Sequence, residues 1–108
     1  MKTARIDGFD WDDGNREKCL KHGLTLALIE SVFLGGVHMM PDPAHSNREA
    51  RYIAIGCTRE QRHVFIAFTL RDRNGLRLLR PISARYMHRK EVEHYAKSTA
   101  EAGNGRRG

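Results

Sequence analysis

The chain has 108 residues, of which 40% are hydrophobic and 30% charged, and carries a formal net charge of +6. That composition describes one small globular domain, excluding a disordered chain, and no apolar run approaches the ~20 residues of a membrane helix. Residues 1–70 hold nine Lys/Arg and nine Asp/Glu, whereas residues 71–108 hold ten and four, so the whole excess lies in the final third and attracts polyanions such as nucleic acid.

Lys2, Arg5, Asp7 and Asp10 interrupt the start of the chain, which has no apolar stretch of signal-peptide length, so a cytoplasmic location is expected. Cys19 and Cys57 are too few for a disulfide framework there, and both are expected to be small buried apolar groups.

Arg5 to Trp11 alternates weakly and predicts a short first strand. Asp12 or Asp13 caps the next helix, which runs through Leu20 and stops near His22, because Gly23 accepts the left-handed cap conformation. Thr25 caps a second helix, in which Leu26, Ile29 and Phe33, with Leu28 and Val32 alongside, form an apolar stripe ended by Gly35-Gly36. Val37 to Met40 is a short strand before the polar turn from Pro41 to Ser46.

Three stronger strands follow, Arg51–Cys57, Arg62–Leu70 and Leu76–Tyr86. Val64, Ile66, Phe68 and Leu70 share one face of the middle strand, opposite Phe65 and Ala67. Asn74-Gly75 marks a tight hairpin, and the short Thr58–Gln61 link marks another. Pro81 donates no ladder bond, so an edge position or a bulge is expected. Arg80 shares parity with Leu76, Leu78 and Ile82, which aims it at the apolar side. A bulge, a carboxylate partner or an open cleft is therefore required, because burying an unpaired guanidinium is too costly.

A last helix begins at His88 and ends near Ala100, with Val92, Tyr95 and Ala96 inward. Residues 1–97 are thus one domain, and 98–108 a disordered basic tail. The order of elements gives an α+β fold, an antiparallel twisted sheet with two N-terminal helices and one C-terminal helix.

Six histidines raise the question of metal, but no HxxxH, HExxH or CxxC spacing occurs, and none is expected to be a metal ligand. Gly35-Gly36 lacks the spacing and lysine of a phosphate-binding loop. What remains is His, Glu and Arg, a set suited to cleaving RNA, where the substrate's own 2′-hydroxyl is the nucleophile and no cofactor is needed. The protein must then take one proton, give one, and stabilise charge on the phosphate. Glu49, His45 and His22 are candidates for proton transfer, and Arg51, Arg71, Arg80 and Arg85 for the phosphate.

Phe9-Asp10-Trp11-Asp12, Asn15, Lys18, Lys21-His22-Gly23, Val32-Phe33, Asp42, His45-Ser46, Glu49, Arg51, Gly56 and the run Arg80 to Tyr86 resemble the BrnT toxins, over residues 6–96. Leu28 departs from the pattern, standing where relatives carry an acidic residue. The resemblance implies a RelE-like microbial ribonuclease fold and metal-independent endoribonuclease activity without cofactors. It also implies neutralisation by a BrnA-like ribbon-helix-helix antitoxin, operator DNA being met only through that complex. Residues and resemblance together nominate Glu49 or His22 as general base, Arg80 and Arg85 as phosphate clamps, and Arg51 as leaving-group or phosphate partner. Lys21, His45, Arg71 and Tyr86 are expected to touch RNA. The competing readings make Glu49–Arg51 a cross-strand ion pair and Arg85–Glu91 a helix anchor. The alternative function is a non-catalytic nucleic-acid-binding module; a structural protein docking an acidic partner is a third option.

Overall fold

In the computed structural model, the backbone is described for residues 6–107 and side chains from Ile6 to Thr99. The expected strand start at Arg5 and the side chains of Arg106 and Arg107 lie outside the described residues. The elements are β1 (Gly8–Phe9), α1 (Asp13–Leu20), α2 (Leu26–Leu34), β2 (His38–Pro41), a 3-10 turn (Pro43–His45), β3 (Tyr52–Cys57), β4 (His63–Arg73), β5 (Leu76–Tyr86) and α3 (Arg89–Arg107). The sheet order is β1-β5-β4-β3-β2, an antiparallel meander from β2 to β5. β1 joins its far edge parallel to β5, so the α+β sheet is mixed rather than wholly antiparallel.

Both N-terminal helices start where a side chain satisfies otherwise unbonded amides. Asp12 accepts from the Asn15 amide at 3.0 Å, and the Asn15 side-chain oxygen accepts from the Asp12 amide at 2.7 Å. The Thr25 hydroxyl accepts from the Leu28 amide at 3.1 Å, so the cap forms although Leu28 cannot complete a reciprocal box. Cys19, Leu24, Ile29 and Val32 pack these helices onto Ala54, Val64, Ile66, Phe68, Leu79 and Ala84 of the sheet. Gly56 lets α2 approach: a Cβ there would stand 2.7 Å from Val32 Cγ1 and 2.9 Å from Val37 Cγ1.

The β4–β5 hairpin turns on Asn74 (φ 51°) and Gly75 (φ 81°), as its dipeptide requires. Further along, pairing jumps from Phe68↔Pro81 to Ala67↔Ser83, leaving Ile82 as the extra residue of a bulge. The expected bulge is present, but the parity is reversed. Leu79 and Pro81 face the core, while Leu76, Leu78 and Arg80 face the other side of the sheet. Alternation alone gave no way to choose between two leucine-bearing faces.

α3 begins behind a tight anchor. Arg85 Nη1 and Nη2 donate to Glu91 Oε1 and Oε2 at 2.8 and 2.9 Å, and the His88 amide donates to Glu91 Oε1 at 2.8 Å. Tyr95 meets His38 across the sheet at 3.2 Å. Val92 and Tyr95 are half-buried, whereas Ala96 is exposed, because the helix leans on the sheet along a narrow stripe. Helical backbone continues past Ala100, since Gly103 and Gly105 weaken a helix without forbidding it. Cys19 is fully buried, and desolvation pushes its thiol pKa up to about 11. Cys57, expected inside, is exposed at the end of β3, on the side that the two N-terminal helices leave bare.

Two outcomes follow. Gly56→Ala should lower stability by about 1–3 kcal/mol in urea unfolding, because the stiff Val32 and Val37 side chains must move. The Glu91 carboxyl is held down at about 2 by Arg85 first and the His88 amide second, against an ordinary value of 4.5. The depressed value means that the anchor's contribution is complete above about pH 4.5 and lost as pH falls through about 2. Acid titration should detach α3 in that window, read as Tyr95 fluorescence or amide exchange, and Glu91→Gln should remove this transition.

Candidate active site

The face of the sheet away from α1 and α2 presents Thr69 and Arg71 of β4 and Arg80 of β5, with Thr69 paired to Arg80. Tyr52 pairs with Phe68, so Arg51, one residue earlier, lies at the head of the same cross-strand row. β1 supplies carboxylates because the chain alternates as it leaves the sheet. Phe9 packs into the core and Trp11 turns to α2, donating Nε1–H to Glu30 Oε2 at 2.8 Å. Asp10 and Asp12 point to the arginines. Arg80 Nη2 lies 2.8 Å from Asp12 Oδ2, Arg80 Nη1 3.7 Å from Asp10 Oδ2, and Arg73 Nη2 3.5 Å from that same Asp10 oxygen.

Asn15 holds both acids in place. It is 4% exposed, and its side-chain NH₂ donates to the Asp10 carbonyl at 2.9 Å and the Pro81 carbonyl at 2.8 Å. Bonding by the Asn15 amide first, and the Arg80 guanidinium second, keeps the Asp12 pKa below the usual carboxylate range. Asp10 Oδ2 and Thr69 Oγ1 are buried without a hydrogen-bond partner among the described residues.

The segment between the 3-10 turn and β3 closes the other side. Ser46 Oγ donates to the Asp42 carbonyl at 2.8 Å and accepts from the Arg51 amide at 2.9 Å, while the Asp42 amide donates to the Arg51 carbonyl at 2.9 Å. This staple presents two side chains. His45 Nδ1 lies 2.9 Å from Asp42 Oδ2, so the tautomer donating to Asp42 leaves Nε2 as an acceptor toward solvent. Glu49 takes Arg71 in a two-point pair, Nε to Oε2 at 2.9 Å and Nη2 to Oε1 at 3.2 Å. The Arg71 pKa is raised by its hydrogen bond to Glu49 first, with smaller contributions from the charges of Asp10 and Asp12.

The structure therefore brings Glu49, Arg71 and Arg80 onto one face, with Arg51 in the adjoining row and His45 on the bordering turn. Four nominated residues stand apart. Arg85 is on the same face but four ladder steps from Arg80 (Phe65 against Thr69), about 13 Å at the ~3.3 Å rise of a strand, committed to Glu91 and lying 4.5 Å over the Phe65 ring. His22, with Lys21, is exposed in the turn after α1, on the helical side. Tyr86 belongs to the core face and carries the Arg62 guanidinium 3.5 Å over its ring. Glu49 pairs with Arg71, not with Arg51 as the competing reading has it, whereas the Arg85–Glu91 pair is present. Asp10, Asp12 and Arg73 are the participants that sequence reasoning missed. Their signal was the carboxylate partner that an inward-aimed Arg80 requires, next to the Phe9-Asp10-Trp11-Asp12 motif.

A groove of about 1060 Å³ lies on the opposite, helical face, lined by apolar side chains including Phe9, Phe33, Tyr52, Phe68 and Leu79, and none of the clustered arginines borders it. The basic site is an open surface, suited to a polymer. Among the described residues, no three His, Cys, Asp or Glu are grouped to hold a metal ion, and no helix is long and apolar enough to cross a membrane.

Comparison with known proteins gives one family. A family model described as the ribonuclease toxin, BrnT, of type II toxin–antitoxin systems matches residues 11–91, three quarters of the chain. No curated protein sequence matches the chain. The match spans Asp12, Asn15, the Asp42–Arg51 segment, Arg71, Arg73 and Arg80, leaving only Asp10 of the polar face one residue outside it, and the chain belongs to the BrnT family of ribonuclease toxins.

Proposed function

We propose that this protein is a cytoplasmic endoribonuclease that cleaves RNA by 2′-hydroxyl attack without a metal, neutralised by a BrnA-like ribbon-helix-helix antitoxin. The observation that carries the reading is the placement of Glu49 beside Arg71 and Arg80 on one open face. A carboxylate there takes the 2′-hydroxyl proton, the oxygen attacks phosphorus, and the 5′-oxygen leaves, giving a 2′,3′-cyclic phosphate end. Guanidinium groups of Arg71 and Arg80 stabilise the charge that builds on the phosphoryl oxygens, using fixed paired donors. His45, held through Nδ1 by Asp42 on the bordering turn, supplies the proton to the leaving oxygen from Nε2 when it is in the imidazolium form, and is left as the neutral tautomer. Arg51 steers the chain of phosphates along the row that leads to Arg80. Arg85 and His22 lie outside this set. The antitoxin's role follows from the family's type II systems, and contact with operator DNA belongs to the joint complex.

Purified protein should cut single-stranded RNA equally well with and without EDTA, leave cyclic phosphate ends, and spare 2′-O-methyl RNA. Arg80→Ala and Glu49→Ala should each slow cleavage by about 10²-fold or more, and His22→Ala should leave it near wild type. Expression without antitoxin should arrest growth, and the two slow variants should relieve the arrest. Intact RNA in the presence of a well-folded chain, or loss of cutting with EDTA, would overturn the reading.

A further inference from the structure

The two acids beside Arg80 differ in depth, and depth decides what each can do. The Asp10 side chain is 11% exposed, and its Oδ2 is sealed from solvent between Arg73 and Arg80 with no hydrogen bond among the described residues. Leaving that place would break both contacts at once, and the mostly buried Arg80 would keep a poorly solvated charge without its inner partner. The Asp12 carboxylate is 55% exposed and touches Arg80 at 2.8 Å from the solvent side. It is within reach of water and free to give up its place when another anion arrives. Arg80 itself is only 19% exposed, so the approach to its outer donors is largely the position that Asp12 holds.

We propose that Asp12 is a built-in stand-in for the RNA phosphate, and that Asp10 is a positioning residue that keeps Arg80 and Arg73 side by side to receive it. The inference rests on the reading of this face as the RNA site and adds how that site is kept in order when empty. Asp12 fills the outer fork of Arg80 in the free protein, and a phosphodiester displaces it. Asp10 stays bonded beneath, so both guanidinium groups remain aimed at the incoming group and little rotamer freedom is lost on binding.

The test uses the full chain and a labelled 2′-O-methyl RNA oligonucleotide, which measures binding without cleavage, at fixed ionic strength. Asp12→Asn keeps the helix cap, since Asn caps as well as Asp, but removes the competing charge. It should tighten binding roughly tenfold, the size of one displaced charge-assisted contact. Asp10→Asn should weaken binding severalfold, and adding Arg73→Ala to it should cost less than Arg73→Ala alone in wild type. A general charge effect would tighten binding in both variants, because each removes one negative charge near RNA; opposite signs are the signature of the proposal. Thermal unfolding of each variant separates a fold defect from a binding change. If Asp10→Asn does not fold, Asp13→Asn replaces it as the charge control: it removes an exposed acid from the same helix start and should leave binding unchanged while Asp12→Asn tightens it, and equal tightening by both overturns the proposal. Unchanged or weakened binding by Asp12→Asn, or tightened binding by Asp10→Asn, overturns the proposal. A wild-type chain that binds but never cuts RNA, with the opposite-sign pattern intact, would end the ribonuclease reading and leave this one standing.

Discussion

One buried amide organises the functional end of this molecule. Asn15 sits in the first turn of α1 with almost no exposure, yet it completes a capping box with Asp12 and donates to one carbonyl just past β1 and another within β5. Those carbonyls lie at the exit of β1 and beside the β5 bulge, where Asn15 satisfies them. An unsatisfied buried carbonyl costs about 1–3 kcal/mol, so the amide is strongly held. By fixing the backbone at Asp10, Asp12 and Pro81 together, it also fixes which carboxylates face Arg80.

The sheet then divides labour between its faces. The helical face is apolar and closes the core, with Gly56 admitting α2 close to β3. The other face collects guanidinium groups matched to carboxylates: Arg71 to Glu49, Arg73 to Asp10, Arg80 to Asp10 and Asp12. This pairing reconciles a basic chain with a stable fold. Arginines clustered without counter-charges would repel one another, while counter-charges buried too deeply would leave nothing for a substrate to use. The mixture of a sealed acid and two more exposed ones gives order without blocking exchange. Ion pairs at such exposure add little to stability, so their arrangement matters more for geometry than for holding the fold together.

Much of this was legible in the sequence because the signals were local. Asp12, Thr25, Asn74-Gly75 and the alternation of Val64, Ile66 and Phe68 each act within a few residues, and each element formed where expected. Glu49 and Arg80, nominated from residues and resemblance together, do lie on one face of the sheet. What stayed hidden was long-range pairing. Spacing cannot tell that Glu49 meets Arg71 instead of Arg51, since the partner depends on how the Asp42–Arg51 segment is stapled by Ser46. Nor can it tell which side of β5 is the core, because leucines stand on both parities and the bulge at Ile82 switches the register. His22 and Arg85 looked equivalent to the rest as types, but one ends a helix packed on the far face and the other is consumed by the α3 anchor. The exposed Cys57 and the longer α3 likewise depend on what covers an element, which composition does not report.

The central claim is that a single group of arginines on the open face receives the phosphate. Side-chain nitrogen NMR reads it directly, by following each guanidinium Nε–H signal as uncleavable RNA is added to labelled protein. The account predicts that Arg71, Arg73 and Arg80 shift together and saturate at one concentration, while Arg85 and Arg62 stay still. Movement of Arg85 with the Lys21–His22 turn, and silence from Arg71 and Arg80, would contradict it.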